Sequence, residues 1–532
     1  MEHKTYLLSY DVGTTGMKTC LFSTNGHLEL VSSALAKYPL LLLEGGGAEQ
    51  NPEDWYEAMA TTTKEILSQS NIEKADIKGI SFCSQMQGLI LVDRQGKALR
   101  NAFSYLDQRA TYELKKGMAY GLQIAGANIR KLLVSLAITK AVATSVKDPV
   151  WKYHWVKNHE PTVFSQIYKW LDVKEYLITQ LTDTFIMTED SAFATLLFDV
   201  KKRCWSPTMC RLLKVNRDHL PTIIRSTDQV GELTQKAATY LGLHPNTPVF
   251  GGGGDAALIG LGAGSAFPGD SHIYMGTSGW LSTVVKKSMV DPTTKTAAIV
   301  SSLPGLFTYF SELETAGKCL EWVKDHLALD EINLYLDKKL VTDSPEAIAT
   351  NLYEYMASVI DTVPPGSNGV IFTPWLHGNR CPFEDSKARG MFFNLRLETG
   401  KTEMIRAVTE GVCLHMRWFL EIQEKKIKTS PIIRFVGGGA LSPITCQILS
   451  DTLGRRIQTI ENPQNVGALG AAIVAGLGLG MYSSAQEATD AIPKGDIYEP
   501  NPEAKKTYDI NYSVYKQLYR SNKKLFAILN SR

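Results

Sequence analysis

Residues 11–18 read Asp11-Val12-Gly13-Thr14-Thr15-Gly16-Met17-Lys18, close to the N-terminus. An apolar run before them and an alternating run after them predict a strand, a tight turn and a second strand. Glycine lets the backbone approach a ligand closely, so the N–H groups of the turn and the hydroxyls of Thr14 and Thr15 could cradle phosphate oxygens. Asp11, at the end of the first strand, is well placed to hold a magnesium ion. An ordinary hairpin turn with a solvated Asp11 explains these residues equally well.

The same kind of turn occurs again in the second half of the chain. The run from Ser271 to Met275 predicts a strand, and Gly276-Thr277-Ser278-Gly279 follows it before another strand begins. One such turn is weak evidence for a phosphate site, whereas two of them at the starts of two halves indicate a duplication. The pattern predicts a duplicated fold whose halves clamp one polyphosphate between them.

Length and composition limit the class of protein. A chain of 532 residues is too long for a single core and predicts two large domains. The hydrophobic share of 44% and the charged share of 21% are those of an ordinary soluble globular protein. With a formal net charge of only +2, binding to nucleic acid or to an acidic membrane is not expected.

Cysteine usage predicts a reducing compartment. The eight cysteines are scattered and form no Cys-x-x-Cys pair, which argues against a disulfide framework and against a zinc site. The first strand is predicted to begin at Thr5, which leaves no room for a signal peptide and favours a cytoplasmic location. The uncharged segment from Asn465 to Ser483 contains five glycines and predicts a buried helix on a sheet rather than a membrane span.

Several other segments have recognisable local patterns. A helix is predicted from Asn51 to about Ser68, a buried strand over residues 78–83, and helical structure throughout residues 111–146. The segment Thr188-Glu189-Asp190-Ser191 is predicted to be a polar loop whose acidic pair is solvated. The Gly- and Pro-rich passage at residues 241–248 is the predicted domain boundary.

Asp255 is the most informative single residue. It follows four glycines, Gly251 to Gly254, and begins a predicted helix, whose N-terminus favours the ionised carboxylate. An ionised aspartate can accept the proton of a substrate hydroxyl during phosphoryl transfer. An N-cap residue after a flexible loop is the structural alternative. The run formally matches Gly-x-Gly-x-x-Ala, but its strand is short and no acid-bearing βαβ unit follows, so we interpret the dinucleotide-binding match as chance.

A third glycine run, Gly437-Gly438-Gly439, follows a predicted strand. These glycines could lie against an adenine or ribose, or they could allow close packing of helix and strand. The four tyrosines Tyr508, Tyr512, Tyr515 and Tyr519 have helical spacing and predict an amphipathic terminal helix packed on its domain.

Taken together, these motifs resemble those of the FGGY carbohydrate kinases, and within that family the chain is most similar to the xylulokinases. The resemblance covers nearly the whole chain and is weakest between Tyr112 and Lys147. It implies an α/β fold of two actin/hexokinase-like (ribonuclease H-like) ATPase domains, each a mixed sheet with flanking helices, with the active site in the interdomain cleft. The domains implied are residues 1–247 and 248–532. The motifs, in order, are those at residues 11–18, 48–58, 84–88, 251–257, 275–279, 372–382, 388–395 and 436–442.

The resemblance also implies a role for individual residues, with ATP and Mg2+ as cofactors. Asp255 would be the catalytic base and would meet the sugar, and Asp11 would orient the metal. The remaining residues implied are Gly13, Thr14, Thr15, Lys18, Gly276, Thr277 and Ser278 for the phosphates, Gly438 and Gly439 for adenosine, and Met86 and Gln87 for the sugar.

Three departures from the xylulokinase pattern affect the expected substrate. This chain has Gln87 where His is usual, Ala256 where Asn is usual and Asn379 where Glu is usual. A site that hydrogen-bonds hydroxyl groups discriminates strongly, so these changes could redirect specificity. The expected reaction is phosphorylation of a primary hydroxyl of a ketopentose such as xylulose. The alternatives are a kinase for another ketose or a polyol, and a non-catalytic sugar- or nucleotide-binding regulator. The sequence leaves open whether the chain is a monomer or a homodimer.

Overall fold

The computed structural model describes residues 4–124, 126–327 and 345–531. The chain forms two compact units. The first unit contains Met1–Ala266, Ile299–Phe307 and Gly467–Pro493, and the second contains Phe267–Ala298, Thr308–Val466 and Lys494–Arg532.

A seven-stranded mixed sheet forms the centre of the first unit. The strand Tyr6–Val12 pairs antiparallel with Gly16–Ser23 and parallel with Ile77–Ser84. Almost every residue of Tyr6–Val12 and Ile77–Ser84 is buried, as a sheet covered on both faces requires. The strands of the sheet are, in spatial order, Gln229–Glu232, Pro248–Phe250, Ile77–Ser84, Tyr6–Val12, Gly16–Ser23 and Glu29–Lys37, with Gly253–Gly254 also paired to Ile77–Ser84.

The helix Pro52–Ser70 shows how local sequence sets the packing. Asn51 caps it by accepting the backbone N–H of Glu53, and proline occupies its first position. Its buried face, which includes Trp55 and Met59, belongs to the core of the first unit. The other helices here are Thr111–Met118, Ile129–Ile138, Pro149–His159, Pro161–Ser165, Val173–Thr182, Glu189–Ala194, Pro207–Leu212, Gln235–Leu241, Asp255–Gly262 and Ala485–Asp490, with most of Val466–Gly478.

Small sheets complete the first unit. Their strands are Leu41–Leu43 with Gly47–Gln50 and Ala102–Phe103, Ile90–Val92 with Lys169–Leu171, Ile186–Thr188 with Thr222–Ile224, Phe198–Asp199 with Cys204–Trp205, and Gln123–Ile124 with Ala127–Asn128. The last pair corrects the prediction of helix throughout residues 111–146. Gly121 and Gly126 have positive φ values and turn the chain into a short hairpin between two helices, and residue 125 lies outside the described residues.

The domain boundary also differs from the expected one at residue 247. The strands Pro248–Phe250 and Gly253–Gly254 both pair parallel with Ile77–Ser84, so they extend the sheet of the first unit. Residues up to Ala266, including Asp255, therefore belong to the first unit. The chain returns to that unit with the helix Val466–Gly478, which is buried as predicted.

An eight-stranded mixed sheet forms the centre of the second unit. Its strands are, in spatial order, Val290–Asp291, Thr296–Val300, Phe307–Leu313, Gly279–Val285, Ser271–Met275, Ile432–Val436, Arg456–Ile460 and Lys494–Tyr498. The described helices are Gly317–Trp322, Pro345–Ile360, Lys401–Glu424, Pro443–Leu453 and Pro502–Leu529, and Ile371–Thr373 pairs with Met391–Phe393. The tyrosines of the last helix are buried, which confirms the predicted packing. Within the described ranges, no helix has the length and apolarity needed to span a bilayer.

Candidate active site

Three neighbouring strands of the first unit end at the same level of the sheet. Val12 is opposite Ser84 on one side, and Gly254 is opposite Ser84 on the other, with all three strands parallel. The residues that follow them therefore leave the sheet side by side at its carboxyl edge, where α/β proteins commonly bind ligands. This edge brings together the turn after Val12, the turn Gln85–Gly88 and Asp255.

The turn of the first hairpin is fixed by its own backbone and by two neighbouring side chains. The N–H of Gly13 donates to the carbonyl of Gly16 at 2.9 Å, and the Tyr38 hydroxyl lies 2.6 Å from the carbonyl of Gly13. The Gln50 amide donates to the carbonyl of Thr14 at 2.8 Å. Gly13 and Thr14 are half-buried and Thr15 is exposed, so the turn is ordered and still accessible.

Asp11 is half-buried at the end of its strand, opposite Lys18 and Cys83 on the two neighbouring strands. Burial raises the pKa of its carboxyl, and the charge of Lys18 and a hydrogen bond with Cys83 oppose that rise. Gly467 lies directly against this carboxylate, because a β-carbon at Gly467 would be 2.4 Å from Asp11 Oδ2. On this side, the Asp11 carboxylate therefore packs closely against the backbone of Gly467.

The Gln85–Gly88 turn contains the two predicted sugar-contact residues, Met86 and Gln87, and both are half-buried. Gln87 has φ of 64°, a left-handed conformation that is uncommon for a residue other than glycine. Asp172 accepts the N–H of Gln87 at 3.0 Å and that of Gly88 at 2.9 Å. The buried Lys152 ammonium donates to the carbonyl of Gln87 at 3.1 Å. The unusual backbone is thus held by charged groups beneath it.

Asp255 begins the helix Asp255–Gly262, as predicted, and its Oδ1 accepts the N–H of Ala256 at 2.7 Å. The preceding residue, Gly254, donates its N–H to Asp190 Oδ2 at 2.6 Å. Gly254 also touches Met86, since a β-carbon at Gly254 would be 2.1 Å from Met86 Sδ. The turn that carries Asp255 is therefore in direct contact with the turn that carries Gln87.

The buried thiol of Cys83 shows that the carboxylates converge on this edge. Burial raises its pKa well above the ordinary value, and the negative charges of Asp11, Asp255 and Asp190 raise it further. Asp11 and Asp255, far apart in sequence, thus act electrostatically on one side chain.

Sequence reasoning missed a set of buried charges behind this edge. Asp190 is only 2% exposed, so the prediction of a solvated polar loop at residues 188–191 is wrong. Its partner Thr188 donates to Asp190 Oδ1 at 2.6 Å. Lys174, fully buried, donates to Thr188 and Ser191 and pairs with Glu175. Charged residues surrounded by apolar ones, as Lys174 and Glu175 are in sequence, were the available signal of a buried cluster.

The second unit carries the second hairpin turn in the same setting. Ser271–Met275 pairs antiparallel with Gly279–Val285 and parallel with Ile432–Val436, as Tyr6–Val12 does with its own neighbours. Thr277 is exposed, and Gly276 and Ser278 are half-buried. The carbonyl of Gly276 accepts the N–H of Gly317 at 2.8 Å, which fixes the turn on the next helix. The two units thus share one strand arrangement, as a duplicated fold requires.

The third glycine run packs against this second turn. Gly437 has φ of 90°, and a β-carbon there would be 2.7 Å from the carbonyl oxygen of Met275. A β-carbon at Gly439 would be 2.7 Å from Met275 Sδ. Close packing therefore accounts for Gly437 and Gly439, while Gly438 is half-buried.

Asn379 has a local structural role in the second unit. It is only 4% exposed, and its amide donates to the carbonyls of Cys381 and Phe383 at 2.9 and 2.8 Å. The amide stabilises its own loop through these bonds.

The carboxylate oxygens at the first sheet edge fit a magnesium ion that is also bound by the phosphates of a substrate. Carboxylate oxygens, such as those of Asp11, are preferred by Mg2+, which is usually bound through one or two carboxylates together with substrate phosphates. Across residues 4–124, 126–327 and 345–531, no three His, Cys, Asp or Glu side chains are grouped to hold a metal by themselves.

Comparison with protein-family models assigns both units. Residues 6–262 match the N-terminal domain of the FGGY family of carbohydrate kinases, and residues 272–479 match its C-terminal domain. The chain belongs to the FGGY family of carbohydrate kinases. The family assignment confirms the predicted two-domain fold of mixed sheets with flanking helices, and it confirms an ATP-dependent carbohydrate kinase.

Individual relatives of this FGGY kinase carry more than one substrate name. It is 28% identical over 528 residues to a protein named xylulose kinase from Bacillus subtilis, covering 99% of each chain. It is also 28% identical to a gluconokinase from Bacillus subtilis, covering 97% of this chain and 96% of that one. The crystal structure of ligand-bound xylulose kinase from Lactobacillus acidophilus is similar, with a TM-score of 0.83, 25% identity and coverage of 99% and 100%.

Proposed function

We propose that this FGGY kinase transfers the γ-phosphate of ATP to a primary hydroxyl of a ketopentose, and that the substrate is xylulose. The observation that carries the proposal is the strand register, which places Val12, Ser84 and Gly254 side by side across three parallel strands. The alignment places a phosphate-type turn, a turn with hydrogen-bonding side chains and a carboxylate at one sheet edge. These are the three components that transfer of phosphate to a hydroxyl needs.

Asp255 is the proposed base. As the hydroxyl oxygen forms its bond to the γ-phosphorus, the bond from phosphorus to ADP breaks, and the hydroxyl proton passes to the Asp255 carboxylate. The helix that begins at Asp255 stabilises the ionised carboxylate before the reaction. The hydrogen bond from Gly254 to Asp190 and the contact with Met86 fix the backbone from which the carboxylate projects.

The phosphates are proposed to be bound by the two hairpin turns. The turn of the first unit supplies N–H groups, two hydroxyls and one ammonium from Gly13, Thr14, Thr15 and Lys18. The turn of the second unit supplies N–H groups and two hydroxyls from Gly276, Thr277 and Ser278. Asp11 is proposed to hold a magnesium ion, which would neutralise charge on the phosphates when bound. Gly438 and Gly439 are proposed to line the adenosine site.

The choice of xylulose rests on the chain-length similarity to relatives with that name. Gln87 and Ala256 stand at half-buried positions of the same sheet edge, where they can select among hydroxyl patterns. Asn379 contributes less to this choice, because its amide is committed to two carbonyls of its own loop. The second candidate is a sugar acid, since a relative of equal identity is named gluconokinase.

The test is release of ADP by the full-length protein with MgATP and one candidate substrate at a time. The panel contains xylulose, ribulose, gluconate and glycerol, and the phosphorylated product is identified by mass. We expect xylulose to give the highest kcat/KM. A higher value with gluconate would replace the ketopentose by a sugar acid, and a higher value with glycerol would replace it by a polyol.

A non-catalytic regulator is the alternative from another class of protein. Binding of a sugar and ATP without release of ADP above background would establish it and refute the proposed function. The presence of Asp11 and Asp255 at the sheet edge favours catalysis, because a regulator needs neither a metal-orienting nor a proton-accepting carboxylate.

A further inference from the structure

The two turns that carry Gln87 and Asp255 are both fastened to the same short region of the first unit. Asp172, the N-cap of the helix Val173–Thr182, accepts the N–H groups of Gln87 and Gly88. Asp190, in the first turn of the helix Glu189–Ala194, accepts the N–H of Gly254, which lies 64 positions further along the chain. Two carboxylates from one region thus support two separate turns of the candidate site.

The buried ammonium of Lys174 lies within electrostatic reach of both carboxylates. Burial alone would lower the pKa of Lys174, but the charges of Glu175, Asp190 and Asp172 outweigh this effect and raise it. The ammonium donates to Thr188 Oγ1 at 2.7 Å, and Thr188 in turn donates to Asp190 Oδ1 at 2.6 Å. Lys174 therefore compensates the charges that would otherwise be costly to bury.

The geometry around Gln87 explains why a carboxylate is required there. Asp172 Oδ2 accepts the N–H of Gln87, while Asp172 Oδ1 accepts those of Gly88 and Val173. Lys152 donates to the carbonyl of Gln87 and to that of Ser104 at 2.8 Å. The left-handed conformation of Gln87 costs free energy, and the charged groups on both of its polar backbone atoms offset this cost.

We propose that Asp172 and Asp190 are positioning residues, of which Asp172 acts mainly on the sugar-contact turn and Asp190 mainly on the Asp255 turn, while Lys174 supplies buried positive charge near both. Asp172 controls substrate binding because it fixes Gln87. Asp190 controls turnover because it fixes the backbone immediately before the base. This inference rests on the proposed kinase function and extends it to residues that touch no reacting atom.

The two carboxylates differ in how well an amide replaces them. In Asp190→Asn, the amide oxygen can still accept the N–H of Gly254 while its NH2 group faces the Thr188 hydroxyl, which can accept. In Asp172→Asn, one side of the amide is an NH2 group, which would face either the N–H of Gln87 or the N–H groups of Gly88 and Val173. Asparagine should therefore rescue position 190 better than position 172.

The experiment measures steady-state kinetics of full-length wild type, Asp172→Ala, Asp172→Asn, Asp190→Ala and Asp190→Asn, with melting temperatures. Asp93→Ala is the matched control, because Asp93 also accepts two N–H groups of a turn, those of Gln95 and Lys97, in the same unit. The wild type is first assayed on the substrate panel. If it phosphorylates none of those compounds, the proposed function fails, and the inference fails with it.

If the wild type is active, the two positioning roles predict that changes at Asp172 act mainly on KM and changes at Asp190 act mainly on kcat. Asp172→Ala should raise the KM for sugar about tenfold with kcat little changed, and Asp190→Ala should lower kcat roughly 10- to 100-fold with KM for sugar little changed. Asp190→Asn should recover most of the lost kcat, and Asp93→Ala should change neither constant. If Asp172→Ala does not fold, Asp172→Asn supplies the comparison. If Asp190→Ala does not fold, Thr188→Val, which removes the hydroxyl that donates to Asp190, should also lower kcat. Equal changes in both constants, or kinetics like those of Asp93→Ala with only a lower melting temperature, would overturn the proposal while leaving the kinase function intact.

Discussion

The side chain of Met86 lies against the α-carbon of Gly254: a β-carbon there would be 2.1 Å from Met86 Sδ and 2.2 Å from its Cγ. Two segments separated by most of the first unit are therefore in van der Waals contact at the candidate site. One carries the proposed sugar-contact residues and the other carries the proposed base. Their contact fixes the spacing between the two turns whose side chains are proposed to meet one substrate molecule.

Gly254→Ala should consequently displace Met86 and disturb both turns. We expect kcat/KM for the sugar to fall roughly 100-fold, because misplacing reacting groups by about 1 Å has an effect of that size. Gly231→Ala is the control, since its β-carbon would meet nothing closer than 3.4 Å. Adding Met86→Ala to Gly254→Ala should restore the melting temperature by removing the clash. A fully active Gly254→Ala variant would contradict this view of the site.

Asp255→Asn tests the base directly. The amide cannot take up the hydroxyl proton, so we expect kcat to fall by about 10²- to 10⁴-fold, the usual contribution of general base catalysis. Binding of ATP, measured by calorimetry, should remain near normal because the phosphate turns are unchanged. Asp228→Asn is the control, as Asp228 pairs with Arg225 on the surface. Turnover near that of the wild type would remove Asp255 from the role of base.

Local sequence patterns predicted the parts of this site that local chemistry determines. The hairpin around Asp11 and the helix that begins at Asp255 depend on glycine turns and on apolar runs of a few residues, which are visible in the chain itself. The buried tyrosines of the last helix follow in the same way from helical spacing.

The supporting charges could not be predicted in this way. The buried Asp190 accepts the N–H of Gly254, and that pairing forms only when the strand Gly253–Gly254 joins the first sheet. Read alone, Glu189-Asp190 has the composition of a solvated loop, since charged residues are seldom fully buried without partners. The same strand pairing explains why the first unit extends beyond the boundary expected at residue 247. The Gly- and Pro-rich passage is followed by strands that join the sheet of that unit.

Gly467 tests the placement of the metal. Alanine at this position would put a β-carbon 2.4 Å from Asp11 Oδ2 and 3.0 Å from Cys83 Sγ, so the carboxylate must move. We expect the Mg2+ concentration needed for half-maximal activity to rise roughly 10- to 100-fold, as when groups that orient a metal ligand are altered. Gly231→Ala again serves as the control. An unchanged Mg2+ dependence in a folded Gly467→Ala variant would place the metal away from Asp11.

Asp172 should give stability a measurable pH dependence. Burial and the nearby charge of Glu175 raise its pKa from 3.8 to about 7, against the opposing charge of Lys174 on the same helix. Lys152 faces it from the helix Pro149–His159. Below pH about 7 the folded state thus keeps a proton that the unfolded chain has lost, and above it Asp172 is the carboxylate that accepts the three N–H groups. The stabilising contribution is therefore full below the unfolded pKa and disappears as the pH rises through about 7.

The measurement compares the melting temperatures of wild type and Asp172→Asn across that range. The wild-type value should fall relative to the variant as the pH rises from about 5 to about 8, because asparagine does not titrate. Asp93→Asn should show no such trend relative to wild type. A wild-type value that rises relative to the variant would mean that the pKa of Asp172 is lowered instead.

Glu410 provides a stability test in the second unit that is independent of catalysis. Its carboxylate accepts from Arg406 at 2.7 Å, from the N–H of Gly366 at 2.9 Å, and from the hydroxyls of Ser367 and Tyr508 at 2.8 Å each. Glu410→Ala leaves the buried Arg406 without its counter-charge, so the free energy of unfolding should fall by about 3–5 kcal/mol in urea titrations. Glu321→Ala removes the exposed pair with Lys318 and should cost less than about 1 kcal/mol. Equal losses in the two variants would show that burial does not strengthen the dependence of Arg406 on its partner.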